Sequence, residues 1–137
     1  MSTKYESYPL SQLTGRILAC CVEVHKVLGP GFEEVFYQRA LAKELQAAGL
    51  EFLREQWMDV SYKGERLGTK RVDFILEECM VEIKAKGALE DVDKVQTLSY
   101  LKASGYQIGL LVNFGAVTIE VKRIINTPNR ITGTPTG

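Results

Sequence analysis

The chain has 137 residues, 45% hydrophobic and 25% charged, which is ordinary for one soluble globular domain. Its 17 basic residues balance 17 acidic ones, so no net charge attracts polyanions, although a local basic patch is compatible with this balance. No apolar run approaches the roughly 20 residues of a membrane span, and the N-terminal MSTKYESYPL lacks the pattern of a secretion signal.

The three cysteines, Cys20, Cys21 and Cys79, form no CxxC pair, and an odd number cannot pair completely within one chain. A disulfide framework and a closed zinc site are therefore not expected. We interpret the adjacent Cys20 and Cys21 as small core residues of a helix. With neither a membrane span nor a secretion signal, we expect a cytoplasmic protein.

The first part of the chain has helical periodicity. Its apolar spacing predicts a helix over residues 13–28, which the sequence LGPG ends. A second helix is predicted over residues 33–48 and ends at Gly49. Two glutamates lie in its first turn, where the helix dipole favours negative charge.

Beyond Gly49 the pattern changes to that of strands. They are predicted over residues 55–62, 66–76 and 80–85, with turns at Lys63-Gly64 and Glu77-Glu78. A helix follows over residues 89–104. Two more strands are predicted over residues 106–112, apolar enough to be central, and 116–125.

This order predicts an α/β fold in which helices flank a mixed sheet. Three consecutive strands indicate hairpins, whereas the later strand–helix–strand passage indicates a crossover. We expect residues 1–126 to form a single domain. The tail over residues 127–137 is rich in Thr, Pro and Gly, and we expect it to be disordered.

Two acids and a lysine interrupt the apolar strands of VDFILEECMVEIKAKG. If Glu77 and Glu78 form a two-residue loop, Asp73 lies opposite Glu82, with Cβ atoms roughly 4.5–5.5 Å apart. Strand alternation then places Lys84 on the same face as Glu82. The other face is expected to be core, formed by the apolar residues Val72, Phe74, Val81 and Ile83.

Two carboxylates this close repel each other unless a cation lies between them or one binds a proton. A hard cation such as Mg²⁺ relieves the repulsion, and it binds through one or two carboxylates, waters and a substrate phosphate. Lys84 would orient or deprotonate a water, or stabilise charge at phosphorus. The alternative is an exposed, charged hairpin face on which Lys84 only pairs with an acid.

Polar residues on the helices are further candidates. Glu34 precedes Tyr37 by three positions in GPGFEEVFY, and Gln96 and Tyr100 form an i,i+4 pair in QTLSY. Each pattern alone also fits an ordinary half-buried helix surface. His25 is the only histidine, and a surface or packing role is the alternative to a functional one.

Together these segments closely resemble the GxxExxY family, which is placed in the PD-(D/E)xK nuclease-like superfamily. Gly31, Glu34 and Tyr37 match the motif that names the family, and the resemblance runs over residues 13–126. The acid, the acid-x-lysine pair and the later QxxxY are also similar to the RecB-like and λ-exonuclease-like branch. Val72 stands where proline gives the superfamily its name, a difference that the superfamily tolerates widely.

The resemblance implies a restriction-endonuclease-like fold and a metal-dependent site. Asp73 and Glu82 would be metal ligands, with the Ile83 carbonyl as a third and Glu34 approaching from its helix. Lys84 would be the lysine that activates water or stabilises charge.

The resemblance also implies supporting roles on the helices. Gln96 and Tyr100 would brace the site or contact the phosphate backbone. His25 would be an additional ligand, as a helix histidine is in some RecB-like nucleases.

The leading interpretation is a Mg²⁺- or Mn²⁺-dependent DNA nuclease, and the QxxxY resemblance favours action at DNA ends. The alternatives are a nucleic-acid-binding or assembly module without turnover, and a hydrolase of small phosphoesters. The sequence distinguishes neither DNA from RNA nor a monomer from a homo-oligomer. Several basic residues cluster near the proposed site: Lys63, Arg66, Lys70 and Arg71, with Lys94 and Lys102 on the third predicted helix.

Overall fold

The computed structural model describes residues 10–127. Within this range the chain forms three helices and five strands: α1 (Ser11–Leu28), α2 (Glu34–Ala47), β1 (Leu53–Tyr62), β2 (Glu65–Leu76), β3 (Cys79–Lys84), α3 (Asp91–Ser104), β4 (Ile108–Asn113) and β5 (Glu120–Ile125). The predicted element order is confirmed. The largest difference is at the last strand, which begins at Glu120 rather than at residue 116.

Residues 128–137, which hold all but one residue of the predicted tail, lie outside the described residues, as do residues 1–9. The single domain over residues 1–126 therefore stays a prediction. No helix between residues 10 and 127 is long and apolar enough to cross a bilayer.

The strands form one sheet in the order β1-β2-β3-β4-β5. All neighbouring pairs are antiparallel except β3 and β4, which are parallel and joined by α3. The predicted crossover is confirmed, since parallel neighbours require such a connection. Every residue of β4 is buried, in agreement with its predicted central place.

The turn at Glu77-Glu78 is confirmed as the two-residue loop between β2 and β3. The strands pair as Leu76↔Cys79, Ile75↔Met80 and Phe74↔Val81. Glu77 has a φ of 54°, which is the left-handed conformation that tight hairpins favour.

One face of the sheet is core, as predicted, and the other face also carries an apolar cluster. α1 and α2 cover one face, where Phe74, Val81 and Ile83 are buried. α3 covers part of the other face, where Leu101 packs with Met80 in a second cluster. The connection from β3 to β4 through α3 therefore lies on the face opposite α1 and α2.

The predicted position of Val72 on the same face as Phe74 is wrong, because Val72 packs in the cluster below α3. Alternation breaks between them. Gln56 pairs with Val72 and the residue before Glu55 pairs with Phe74, but Glu55 and Asp73 are unpaired. Glu55 has a φ of 54°, so the strand twists locally at the position of Asp73.

The periodicity of α3 does not coincide with its buried face. Val92 and Val95 are exposed, whereas Thr97 and Leu101 are buried. Gly109 of β4 explains the choice, since a Cβ there would lie 3.0 Å from Thr97 Cγ2. The helix approaches β4 at this glycine, and Thr97 is small enough to fit.

The cysteines are core residues, as predicted for Cys20 and Cys21. All three are free and buried. Burial raises the pKa of the Cys79 thiol to about 12 and raises that of Cys21 strongly. These thiols are therefore protonated at neutral pH and poor nucleophiles.

Candidate active site

Asp73 is held from two sides. It lies on β2, one residue beyond the segment that pairs with β3. Its Oδ2 accepts a hydrogen bond from the backbone N–H of Ile83 at 2.8 Å, and its Oδ1 accepts one from Gln38 Nε2 at 3.0 Å. Gln38 Oε1 in turn accepts a hydrogen bond from Arg54 Nε at 3.0 Å. The carboxylate is thus oriented by both β3 and α2.

Glu82 is buried beside Asp73, with 5% of its surface exposed. Its Oε2 has no hydrogen-bond partner among the described residues, and the nearest cation is Lys70 Nζ at 3.7 Å. Burial, and then the charge of Asp73, raise the pKa of Glu82 to about 8. A buried carboxylate next to another carboxylate favours either a proton or a further cation.

Glu34 and Lys84 complete the set that the sequence indicated. Glu34 is the first residue of α2. Burial and the charge of Asp73 raise its pKa, while Lys84 and a hydrogen bond from the backbone of Ala85 oppose the shift. Lys84 is half-buried at the end of β3. Its positive charge opposes part of the rise in the pKa of Glu82.

These residues share one surface pocket of about 450 Å³. It is lined by three acids, three basic residues and two others: Glu34, Asp73, Glu82, Lys70, Arg71, Lys84, Trp57 and Ile83. A larger pocket of about 630 Å³ lies elsewhere, around Arg16 and Phe52, and contains none of the three acids. The smaller pocket is the candidate site, because it brings the titratable groups together.

Lys70 is part of this pocket, whereas its place in the sequence indicated only a nearby basic cluster. Its Nζ lies 3.7 Å from Glu82 Oε2 and 5.0 Å from the centre of the Tyr100 ring. It also donates a hydrogen bond to the carbonyl of Arg71 at 2.9 Å. The ammonium therefore neutralises part of the charge on Glu82.

The QxxxY pair is only partly brought to the site. Tyr100 is half-buried and reaches the pocket through its contact with Lys70. Gln96 is exposed on α3, and its side chain makes no hydrogen bond to another residue within 10–127.

His25 is not brought to the pocket. Its Nε2 lies 2.9 Å from the carbonyl oxygen of Ala116, and its ring centre lies 6.4 Å from that of Phe114. The histidine thus joins the end of α1 to the loop between β4 and β5.

Tyr37 positions Glu34 rather than lining the pocket. Its buried hydroxyl donates a hydrogen bond to the Gly29 carbonyl at 2.6 Å and accepts one from Phe32 N–H at 3.1 Å. Its ring stacks on Phe114 with 4.9 Å between centres. These contacts fix the loop between α1 and α2, in which Gly31 has a φ of +112°, and so fix the start of α2.

Asn113 was not identified from the sequence, yet it holds the segment that follows Lys84. Its Oδ1 accepts hydrogen bonds from Lys86 N–H and Gly115 N–H at 2.9 and 3.1 Å. Its Nδ2 donates to the Lys86 carbonyl and to Glu120 Oε1, both at 2.9 Å. The sequence signal that could have identified Asn113 is its position as the one polar residue at the end of the apolar strand IGLLVN.

The fit of a metal ion depends on the carboxylate pair. Within residues 10–127, no group of three His, Cys, Asp or Glu side chains is arranged to hold an ion by itself. Mg²⁺, however, is usually bound by one or two carboxylates, with waters and phosphate completing its coordination. The Oε2 of Glu82, which accepts no hydrogen bond from the described residues and lies beside Asp73, fits that mode of binding.

The mixed sheet and its flanking helices form a restriction-endonuclease-like α/β domain, which carries an acid, an acid and a lysine at one edge of β2 and β3. A family model of the PD-(D/E)XK nuclease superfamily matches residues 11–124. The chain therefore belongs to the PD-(D/E)XK nuclease superfamily.

A solved structure has a similar fold. The chain is similar to the "Crystal structure of SSO0001", with a TM-score of 0.54 and 19% sequence identity. The match covers 90% of this chain and 62% of the solved one. This chain therefore spans less than two thirds of the length of the solved chain. At this identity the likeness concerns the fold alone. No curated protein matches the sequence significantly.

Proposed function

We propose that this protein is a Mg²⁺- or Mn²⁺-dependent nuclease that hydrolyses phosphodiester bonds in DNA. The observation that carries the proposal is the buried Oε2 of Glu82, which accepts no hydrogen bond from the described residues and lies next to Asp73 in one pocket with Lys84. Membership of the PD-(D/E)XK nuclease superfamily supports a nucleic-acid substrate.

Asp73, Glu82 and the Ile83 carbonyl would hold the ion, with Glu34 reaching it from α2. The bound ion would offset the carboxylate charges, polarise the phosphate and lower the pKa of a water. Asp73 is suited to this role because hydrogen bonds from Ile83 and Gln38 fix its orientation in advance.

Lys84 would stabilise the negative charge that develops on the phosphate or orient the attacking water. Its position on β3, two residues after Glu82, keeps the ammonium in the pocket with both carboxylates. A fixed cation at this place would stabilise the transition state more than the ground state, since negative charge increases on the phosphate oxygens.

We also propose that the chain belongs to the GxxExxY group within the superfamily. The contacts of Tyr37 with Gly29 and Phe32 support this, since they give the motif a role in positioning Glu34. Action at DNA ends remains the preferred mode, on the resemblance of Gln96 and Tyr100 to QxxxY alone.

Cleavage assays test the proposal directly. Wild type, Lys84→Ala and Asp73→Asn are incubated with linear and circular DNA, single- and double-stranded, and with RNA, in Mg²⁺ or Mn²⁺. Lys43→Ala, which changes an exposed lysine of α2, is the matched control. We expect metal-dependent cleavage in wild type and control only, and digestion of linear DNA alone would indicate an exonuclease. Equal cleavage by all four proteins would contradict the assigned site.

The second candidate function is a nucleic-acid-binding module without turnover. Lys70 favours it, because its ammonium at 3.7 Å already supplies a cation to Glu82. Nucleic-acid binding that persists in chelator, with no cleavage of any substrate above, would support this candidate.

A further inference from the structure

The single tryptophan of the chain lies at the candidate site without being buried. Trp57 is 64% exposed and lines the same pocket as Asp73, Glu82 and Lys84. A large aromatic ring is costly to leave in water, because burial of an apolar surface stabilises a protein by about 25 cal/mol per Å². Its position beside charged groups indicates a ligand that has both a flat apolar face and a negative charge.

A cation already lies against this ring. Arg71 is the direct cross-strand partner of Trp57, and its Cζ is 5.8 Å from the centre of the indole. Arg71 and Lys70 both line the pocket. The indole therefore has a cation beside it, and Lys70 and Arg71 line the pocket that a phosphate would enter together with its base.

A second exposed aromatic ring with a cation beside it lies near the tip of the β1–β2 hairpin. β1 and β2 pair as far as Tyr62↔Glu65, whereas β3 pairs only with residues 74–76 of β2, so the hairpin extends beyond β3. Tyr62 is 58% exposed near its tip, and Lys63 Nζ lies 5.4 Å from the centre of its ring. Proteins that bind single-stranded nucleic acid combine exposed aromatic rings with basic side chains in this way.

We propose that Trp57 stacks on an unpaired nucleobase next to the scissile phosphate, so that the site takes single-stranded nucleic acid, either a free strand or a frayed end. A paired base within a duplex is already stacked on both sides and cannot present its face to the indole. The inference rests on the proposed nucleic-acid substrate, and it adds the class of strand that the site accepts.

The lone tryptophan makes the test direct. Lys84→Ala protein in EDTA, where cleavage is not expected, is titrated with single-stranded oligonucleotides of about 12 nucleotides, one of deoxyuridine and one of uridine, which differ only in the sugar. Stacking should quench the Trp57 fluorescence in a saturable way, and the stronger of the two titrations identifies the natural sugar. A closed circular duplex, which has no ends to fray, should leave the fluorescence nearly unchanged, and equal quenching by this duplex would overturn the proposal.

Variants measure how much the ring contributes. By fluorescence anisotropy of a labelled single strand, Trp57→Ala should weaken binding roughly 5- to 150-fold, the effect of losing one base stack. Trp57→Phe should retain most of the affinity. Leu67→Ala, at a 69% exposed position of the same hairpin, should bind like the parent. Unchanged affinity in Trp57→Ala would refute the stacking role.

The two proposals fail in different ways. Saturable quenching without metal-dependent cleavage by the wild type would leave Trp57 as a binding site and remove the nuclease activity. Cleavage of duplex and single strands alike, with Trp57→Ala unimpaired, would leave the nuclease and remove the stacking site.

Discussion

At the scale of single residues, the Asp73 carboxylate shows how a buried helix residue can control a site on the sheet. Gln38 is buried on α2 and joins Arg54 to Asp73 through two hydrogen bonds of 3.0 Å. It lies four positions after Glu34, so both face the same way on the helix. That spacing was the signal in the sequence.

Gln38→Ala is expected to lower the cleavage rate about 10- to 100-fold, because outer hydrogen bonds that orient metal ligands contribute that much. Gln38→Glu should be impaired as well, since it cannot donate to Asp73. Gln46→Ala, at an exposed position of the same helix, serves as the control. Cleavage and Mn²⁺ affinity are measured together, and wild-type values in both Gln38 variants would contradict a positioning role.

Glu82 gives the site a defined pH dependence of stability. Burial and the charge of Asp73 raise its pKa to about 8, above the value of about 4.3 in an unfolded chain. Between these pH values the folded protein binds more protons than the unfolded one, so the free energy of unfolding decreases as the pH rises.

Urea unfolding in EDTA from pH 4 to pH 9 should therefore reveal a loss of stability that Glu82→Gln reduces by an amount on the order of a few kcal/mol. Glu51→Gln, at an exposed position, should keep the wild-type profile. If wild type and Glu82→Gln lose stability in parallel over this range, Glu82 is not the group that titrates.

At the scale of secondary-structure elements, the ends of β3 and β4 are joined by one side chain. Asn113 is fully buried and connects Lys86, Gly115 and Glu120 through four hydrogen bonds. A Cβ at Gly115 would lie 2.4 Å from Lys86 N, so the two segments also touch directly. The residues that follow Lys84 are thus fixed by β4.

Asn113→Ala is expected to destabilise the protein by about 2–4 kcal/mol, because it leaves several buried polar groups without partners. Asn113→Asp should also be destabilised, since it loses the donor to Lys86 and places a charge beside Glu120. Chemical denaturation measures both, and a change below about 1 kcal/mol in each would show that the linkage is not structural.

The sequence predicted the elements and the two-residue loop at Glu77-Glu78, because both depend on local patterns. The loop at Glu77-Glu78 alone sets the register of β2 and β3. The sequence did not predict the second core, in which Met80 packs with Leu101. The face that a crossover helix covers is a property of the whole sheet, not of a local pattern.

The break in alternation at Asp73 was likewise not predictable. It depends on the conformation of Glu55 on the neighbouring strand. The place of Lys70 in the pocket was not predictable either. Its distance from Glu82 depends on the path of β2 beyond the segment that pairs with β3.

At the scale of the whole molecule, α1 and α2 lie on one face of the sheet and α3 on the other, and the β1–β2 hairpin extends past β3. The acids, Lys70, Lys84 and Trp57 share one pocket beside this hairpin. The balanced net charge of the chain does not oppose binding of a polyanion at this pocket. At physiological salt distant charges are screened, so the cations that line the pocket dominate its local potential.

The most direct test of the carboxylate pair as a metal site is titration of the protein with Mn²⁺ in a calorimeter. Wild type should bind the ion, Asp73→Asn should bind at least about 10-fold more weakly, and Asp91→Asn, whose side chain is 99% exposed on α3, should match the wild type. No binding by the wild type, or equal binding by Asp73→Asn, would contradict the metal site.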